Sequence, residues 1–258
     1  MKSSRATPVK KVDYAGLKKS LEKAVAKRIP AKGKVGVAFS GGIDSGIIAF
    51  LVRKKNPNTQ LLAVGTSTSL DFIRAEAIAK KWKVKLVKKV LDKKEITAKY
   101  ALAGKILKTS DHLQKTIGVV NLSVAELAHE NGIQTLFVGS GADELFCGYA
   151  VFEECRNDTE KCEKLRTQKV ENVEEHDVQR EKKCARHYSI EVQAPYLDAD
   201  FAERALKVPA LQNLTGKYGK LRKNTLRVLG EKLKLPKEMI SAPKKAMQYG
   251  SGVAKALN

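Results

Sequence analysis

The stretch KVGVAFSGGIDSGIIAFLVRKK, Lys34 to Lys55, admits few folds. A short apolar run passes through a glycine turn straight into a longer apolar segment. The run reads as a strand buried on both faces, and the segment after the turn as a helix. The same alternation recurs along the chain. Asp13 to Ile29 places Leu17, Leu21 and Val25 on one face of an amphipathic helix. The strand KGKVGVAF leads to a helix from Asp44 to Lys55 that ends at NPN. QLLAVGT is a second strand, LDFIRAEAIAKKW a helix with Asp71 near its start, and KVKLVKKV a third strand. Helices over 92–108 and 119–131 precede a fourth strand, IQTLFVG. Alternating strands and helices imply parallel strands joined by helical crossovers. The expected fold is α/β, a Rossmann-like parallel sheet with helices on both faces. From Ala150 onward strand signals vanish, and the remainder reads as a helical C-terminal part.

Two loops follow buried strands. SGGIDSG, Ser40 to Gly46, lacks the Lys of a Walker loop and does not fit the dinucleotide fingerprint. It does offer the hydroxyls of Ser40 and Ser45, close backbone approach at Gly41 and Gly42, and a helix N-terminus, a set suited to phosphate. Asp44 among such donors makes sense as a Mg²⁺ ligand. The second loop, FVGSGADELFCGY, Phe137 to Tyr149, sets Asp143 and Glu144 among glycines. In a parallel sheet both loops lie at the carboxyl edge, where ligands bind, so Asp44 and Asp143 could share one Mg²⁺. The expected organisation is a nucleotide-binding α/β domain with an N-terminal helix over 1–150, and a helical part over 151–258 that packs on it and closes the active site.

The chain of 258 residues carries a formal charge of +21. Residues 1–34 hold 11 Lys and Arg against 2 Asp and Glu, and residues 204–245 hold 12 against 2. Such fields attract polyanions, with a solubilising lysine-rich surface as the plainer reading. No stretch is long and apolar enough for a membrane span or a secretory leader, so the expected location is the cytoplasm. Cys147, Cys155, Cys162 and Cys184 contain no C-x-x-C, and the default expectation is free thiols.

SGGIDS resembles the pyrophosphate loop of the ATP-pyrophosphatase superfamily, and within it GADELFCGY resembles the G-A/S-D-E-x-F-G-G-Y stretch of the asparagine synthetase family. Asp177, Arg180 and Lys183, followed by SIEVQAPYLD, resemble that family's D-x-x-R-x-x-K segment leading to G-x-E-x-R-x-P-F-L-D. KLRK, Lys220 to Lys223, and APKKAMQYGSG resemble its two late lysine motifs. The resemblance covers about residues 15–255. It implies a synthetase domain using ATP and Mg²⁺ to adenylate a carboxylate, release pyrophosphate and form an amide with ammonia. It implies catalytic roles for Lys244, Asp143, Glu144 and Lys223, with Arg222 assisting. Ser40, Gly41, Gly42, Asp44, Ser45, Val64, Gly65 and Gly141 would bind ATP and its pyrophosphate, and Asp44 and Asp143 the metal. Ser140, Arg180, Glu191 and Asp198 would form the acceptor site, with aspartate the first acceptor considered.

Several positions depart from the family. Residue 2 is Lys where the family's glutaminase domain carries its cysteine, and no such domain is expected ahead of the first strand. Ammonia would then be free or come from a separate glutaminase subunit. Ser140 stands where the family has the Glu thought to deprotonate ammonia, and serine is no base at its ordinary pKa. Ser189 replaces a Gly and Gln193 an Arg. Cys147 replaces a Gly; it reads as a nucleophile or sulfur carrier, or, preferred, as a small buried residue. The alternative function is an RNA-modifying enzyme, acting on tRNA, that adenylates a base and adds nitrogen or sulfur. The basic segments and the missing Glu favour it; the asparagine-synthetase-like motifs oppose it. A homodimer is also considered.

Overall fold

The computed structural model describes residues 11–257. Among them β1 (Val35–Ala38), β2 (Gln60–Gly65), β3 (Leu86–Val90), β4 (Thr135–Phe137) and β5 (Glu191–Gln193) form one parallel sheet in the order β3-β2-β1-β4-β5. The α-helices in chain order are α1 (Tyr14–Ala26), α2 (Ile43–Lys55), α3 (Leu70–Trp82), α4 (Lys93–Leu107), α5 (His112–Glu130), α6 (Ala142–Leu145), α7 (Thr159–Val173), α8 (Gln179–Arg186), α9 (Ala199–Leu206), α10 (Asn224–Lys232), α11 (Lys237–Ile240), α12 (Met247–Gly250) and α13 (Val253–Leu257). None is long and apolar enough to cross a membrane.

Alternate strand residues point to opposite faces. Val35, Val37, Leu61, Ala63 and Phe137 enter a core with α1, α2 and α3. Leu62, Val64, Leu136 and Val138 enter another with Val119, Val120 and Val124 of α5. Helices therefore cover both faces, as expected. The chain builds β1, β2 and β3 outward on one side and then returns to add β4 beside β1. That reversal makes β1 and β4 the switch point, where the loops leaving the two strands diverge and open a crevice.

Three expectations need correction. Strand signals do not end before residue 150, because β5 pairs in parallel with β4, Thr135 opposite Glu191 and Phe137 opposite Gln193. Its three residues, two of them polar, sit at the sheet edge, so neither alternation nor an apolar run marks them. The helix expected from 119 begins at His112, where Asp111 caps it by accepting from Gln114 N at 2.7 Å. Its polar first turns read as loop, yet Gly118 lets it press on α4, a Cβ there falling 2.7 Å from Ala103 Cβ. The cysteines are not all thiols either. Cys155 and Cys162 form a disulfide with Cα atoms 5.2 Å apart, because the turn at 156–158 folds α7 back on the preceding segment. Cys147 and Cys184 are free and buried.

The parts before and after residue 150 share a core. Phe201, Leu226 and Leu229 pack in the same cluster as Val37, Ile47 and Phe146. Of the basic N-terminal segment, residues 1–10 lie outside the described residues.

Candidate active site

The two glycine loops meet at the switch point. After β1, Ser40 Oγ and Ser45 Oγ lie 3.2 Å apart, and Ser40 N and Gly42 N donate to these hydroxyls at 3.3 and 3.4 Å. Gly41 is left-handed, φ +73°, and a Cβ on it would lie 2.7 Å from the Arg74 backbone. α2 then starts with Asp44 in its first turn and no side-chain cap, leaving its first N–H groups for a ligand. After β4, α6 carries Asp143 and Glu144 in its only turn.

Lys223 brings the loops' carboxylates together. Its Nζ lies 2.6 Å from Asp44 Oδ2 and 2.7 Å from Asp143 Oδ1, while Lys244 Nζ lies 2.6 Å from Asp143 Oδ2. Lys223 is fully buried, but Asp44 and Asp143 keep 21% and 19% of their side-chain surface open, and both line a cavity of about 700 Å³. Lys223 reaches this position from strained backbone, with Arg222 and Lys223 both left-handed at φ 60° and 54°. Buried Arg227 holds that bend by donating to Arg222 O at 2.8 Å, Leu221 O at 3.1 Å and Ile240 O. Position 148 must be Gly, since a Cβ would run into Asp143 and Lys223.

Burial would raise the Asp143 carboxyl, but Lys223 and Lys244 beside it hold it well below the usual range. Burial disfavours the Lys244 cation, yet Asp143 and Asp44 outweigh that and raise its pKa. Asp44 Oδ1 is buried with no hydrogen-bond partner, and Asp143 Oδ1 meets Lys223 only as an ion pair. The orphaned Asp44 oxygen fits a hard cation. No group of three or more His, Cys, Asp or Glu among the described residues could hold a metal alone. Two carboxylates suit Mg²⁺ that arrives on phosphates.

The far half of the cavity is built by a π turn, Glu174–Val178, that joins α7 to α8. Lys169, Asn172, His176, Asp177, Arg180 and Glu181 all line the cavity from this continuous helix. Arg180 Nη1 donates to Gln114 Oε1 at 2.7 Å, Nη2 pairs with Asp177, and buried Nε has no partner. Ser140 Oγ donates to the Glu181 carboxylate, 2.7 and 2.8 Å from its two oxygens. Burial pushes Glu181 up to about 7, against the Ser140 bond and Arg180 and with help from Asp177 and Glu144. Burial, then Asp143, likewise pushes Glu144 up to about 7, and Glu144 accepts from the Tyr149 hydroxyl.

Most of the expected residues line this one cavity: Ser40, Gly42, Asp44, Ser45, Val64, Ser140, Gly141, Asp143, Glu144, Arg180, Lys223 and Lys244. Gly41 supports the loop from behind. Four others do not line it. A Cβ on Gly65 would lie 2.7 Å from Ser251 O, so this glycine admits the C-terminal segment, whose Ser251 O accepts from Thr66 N at 2.8 Å. Glu191 is exposed on the edge strand, accepting from Gln193 Nε2 at 2.7 Å. Asp198 is buried against Lys27 and Arg28, the latter at 2.8 Å, and ties α9 to α1. Arg222 turns away toward Glu153, 3.7 Å off. Cys147 is no nucleophile: it is buried with its thiol pushed up to about 12 by desolvation, 3.7 Å from Ala210 O.

The sequence reading missed Arg74, Tyr149 and Glu181, which line the cavity. Glu181 had a signal, since it lies four residues after Asp177 and next to Arg180 on a helical segment. Tyr149 stood in the quoted motif without a role. Arg74 had no signal in its neighbours.

The asparagine synthase family model matches residues 16–170 and 156–257. A protein of Methanocaldococcus jannaschii described as "Putative asparagine synthetase (glutamine-hydrolyzing) 1" is 31% identical over 272 aligned positions, covering 93% of this chain and 50% of the relative. Asparagine synthetase (glutamine-hydrolyzing) 1 of Saccharomyces cerevisiae is 24% identical, covering 95% and 50%. Among solved structures, a predicted tRNA methyltransferase subunit from M. jannaschii aligns with a TM-score of 0.36 at 20% identity, over 68% of this chain and 75% of that one. The chain spans about half the length of the curated relatives it matches.

Proposed function

The chain belongs to the asparagine synthase family, and from that premise we propose that it is an ATP-dependent ligase. It adenylates an acceptor carboxylate, aspartate the first candidate, releases pyrophosphate, and forms an amide with ammonia. One observation carries the reading: Asp44, Asp143, Lys223 and Lys244 converge between two glycine loops at the switch point of the sheet. The loop at 40–46 would take the β- and γ-phosphates on its backbone N–H groups, its two serine hydroxyls and the α2 N-terminus. Lys244 is held as a cation beside this loop and would meet charge growing on the α-phosphate, while Lys223 keeps the carboxylates apart. Asp44 and Asp143 would hold Mg²⁺, which when bound neutralises phosphate charge. Val64 and Leu62 give an apolar wall for adenine, and the free Nε of Arg180 suits the acceptor's carboxylate. The relatives' names describe glutamine hydrolysis, so a glutaminase partner is one source of the ammonia.

Pyrophosphate and AMP release from Mg-ATP, with aspartate plus ammonium added, tests this. Release that rises with the acceptor and is lost in Asp44→Ala is the expected result. ADP in place of AMP would overturn it. Bulk tRNA belongs in the same assay as a second acceptor, because a formal charge of +21 favours polyanions. Release that responds to tRNA and not to aspartate would select the RNA-modifying alternative.

A further inference from the structure

The amide-forming half of the proposed reaction needs a proton acceptor for nitrogen, and position 140 carries no base. We infer that Glu181 is that proton acceptor, with Ser140 as its positioning residue. Glu181 lies on α8 at a position that the family pattern D-x-x-R-x-x-K leaves open. Its carboxylate sits at the side chain of residue 140, with both oxygens within 2.8 Å of Ser140 Oγ. A carboxylate has thus been moved from the strand-end loop to the facing helix, and a serine left behind to hold it.

The other carboxylates around Ser140 are committed elsewhere. Glu144 accepts from Tyr149, Asp143 pairs with Lys223 and Lys244, and Asp177 pairs with Arg180. Glu181 lines the cavity, is buried, and bonds only the Ser140 hydroxyl among the described residues. The charged groups that face it are Arg180 on its own helix, Asp177 on the π turn and Glu144 on α6. Burial and the two acids keep it protonatable near neutral pH, where a base works best.

The inference rests on the acyl-adenylate reading, and its step balances within it. The nitrogen lone pair forms the C–N bond at the acyl carbon. The C–O bond to AMP breaks, and its electron pair leaves with AMP. The proton lost by nitrogen passes to a Glu181 oxygen and then to solvent.

The test separates the two halves of the reaction, using Mg-ATP, aspartate and ammonium. Glu181→Gln should keep the single-turnover pyrophosphate burst and lose amide formation by about 100-fold or more. Amide formation in the wild type, divided by the free-ammonia concentration at each pH, should rise with pH through about 7, and the residual rate of the variant, normalised in the same way, should be flat there. Ser140→Ala removes a donor to the charged carboxylate and should shift that rise to higher pH. The double variant Ser140→Glu, Glu181→Gln restores a carboxylate at the neighbouring position and should recover amide formation relative to Glu181→Gln. Amide formation kept in Glu181→Gln, or burst and amide formation lost together with the fold intact by circular dichroism, overturns the inference and leaves the synthetase reading standing. A wild type that gives neither a burst nor amide overturns the synthetase reading and this inference with it.

Discussion

Lys223 is an ammonium enclosed between two carboxylates, so its removal leaves Asp44 and Asp143 facing each other unpaired. Breaking a buried pair from one side costs about 3–5 kcal/mol. Lys223→Met should lower the unfolding free energy by that amount, read as a lower urea midpoint at an unchanged m-value, and Asp44→Asn added to it should restore part of the loss. A loss below about 1 kcal/mol would mean the pair is already well solvated. Glu181 gives a second residue-scale prediction. Its folded pKa is raised to about 7 from an ordinary 4.5, so its protonated form stabilises the fold at low pH. That contribution is full below about 4.5 and is lost as pH rises toward 7. The stability of the wild type minus that of Glu181→Gln should therefore fall by about 3 kcal/mol across that window. Both effects were illegible in the sequence. Lysines at 223 and 244 read as surface cations without the family resemblance, and nothing in Glu181 itself tells that Ser140 lies opposite.

Elements explain the family departures at positions 147 and 189. Both sit at left-handed backbone, φ 54° for Cys147 and 58° for Ser189, where the resembling pattern has Gly. Ser189 follows α8, with its N–H on Arg186 O at 3.0 Å and Ile190 N on Ala185 O at 3.1 Å. This helix end favours glycine. The exposed Ser189→Gly should stabilise the chain by about 1 kcal/mol, read as a higher denaturation midpoint. A destabilised variant would show that the serine side chain does something at this turn beyond filling it. The π turn before α8 is another device of this scale. It lets Asp177, Arg180 and Glu181 share a wall with His176 and Asn172, and periodicity of 3.6 cannot anticipate an extra residue in a turn.

At the scale of the whole molecule, the charge of +21 repels itself at low salt. The melting temperature should rise by a few degrees between about 0.02 and 0.5 M NaCl as screening sets in. On the proposed reading Mg-ATP would bind the folded state alone and add about 2.7 kcal/mol at a hundredfold excess over its Kd. Asp44→Ala should lose most of that shift in a thermal melt, and an equal shift in both proteins would remove Asp44 from the nucleotide site. By itself the sequence determined the alternation of strand and helix, hence a parallel sheet covered on both faces, and the two loops at its carboxyl edge. Those follow from local steric and solvation preferences, which act over a few residues. Only the tertiary structure decided the strand order, the polar edge strand β5, the Cys155–Cys162 disulfide, and which acids serve the cavity. Asp198 went to a salt bridge with Arg28, just after α1, while Glu181 came to Ser140. Such assignments depend on contacts between residues far apart in the chain, whose energies exist only once the fold has brought the groups out of water and against each other.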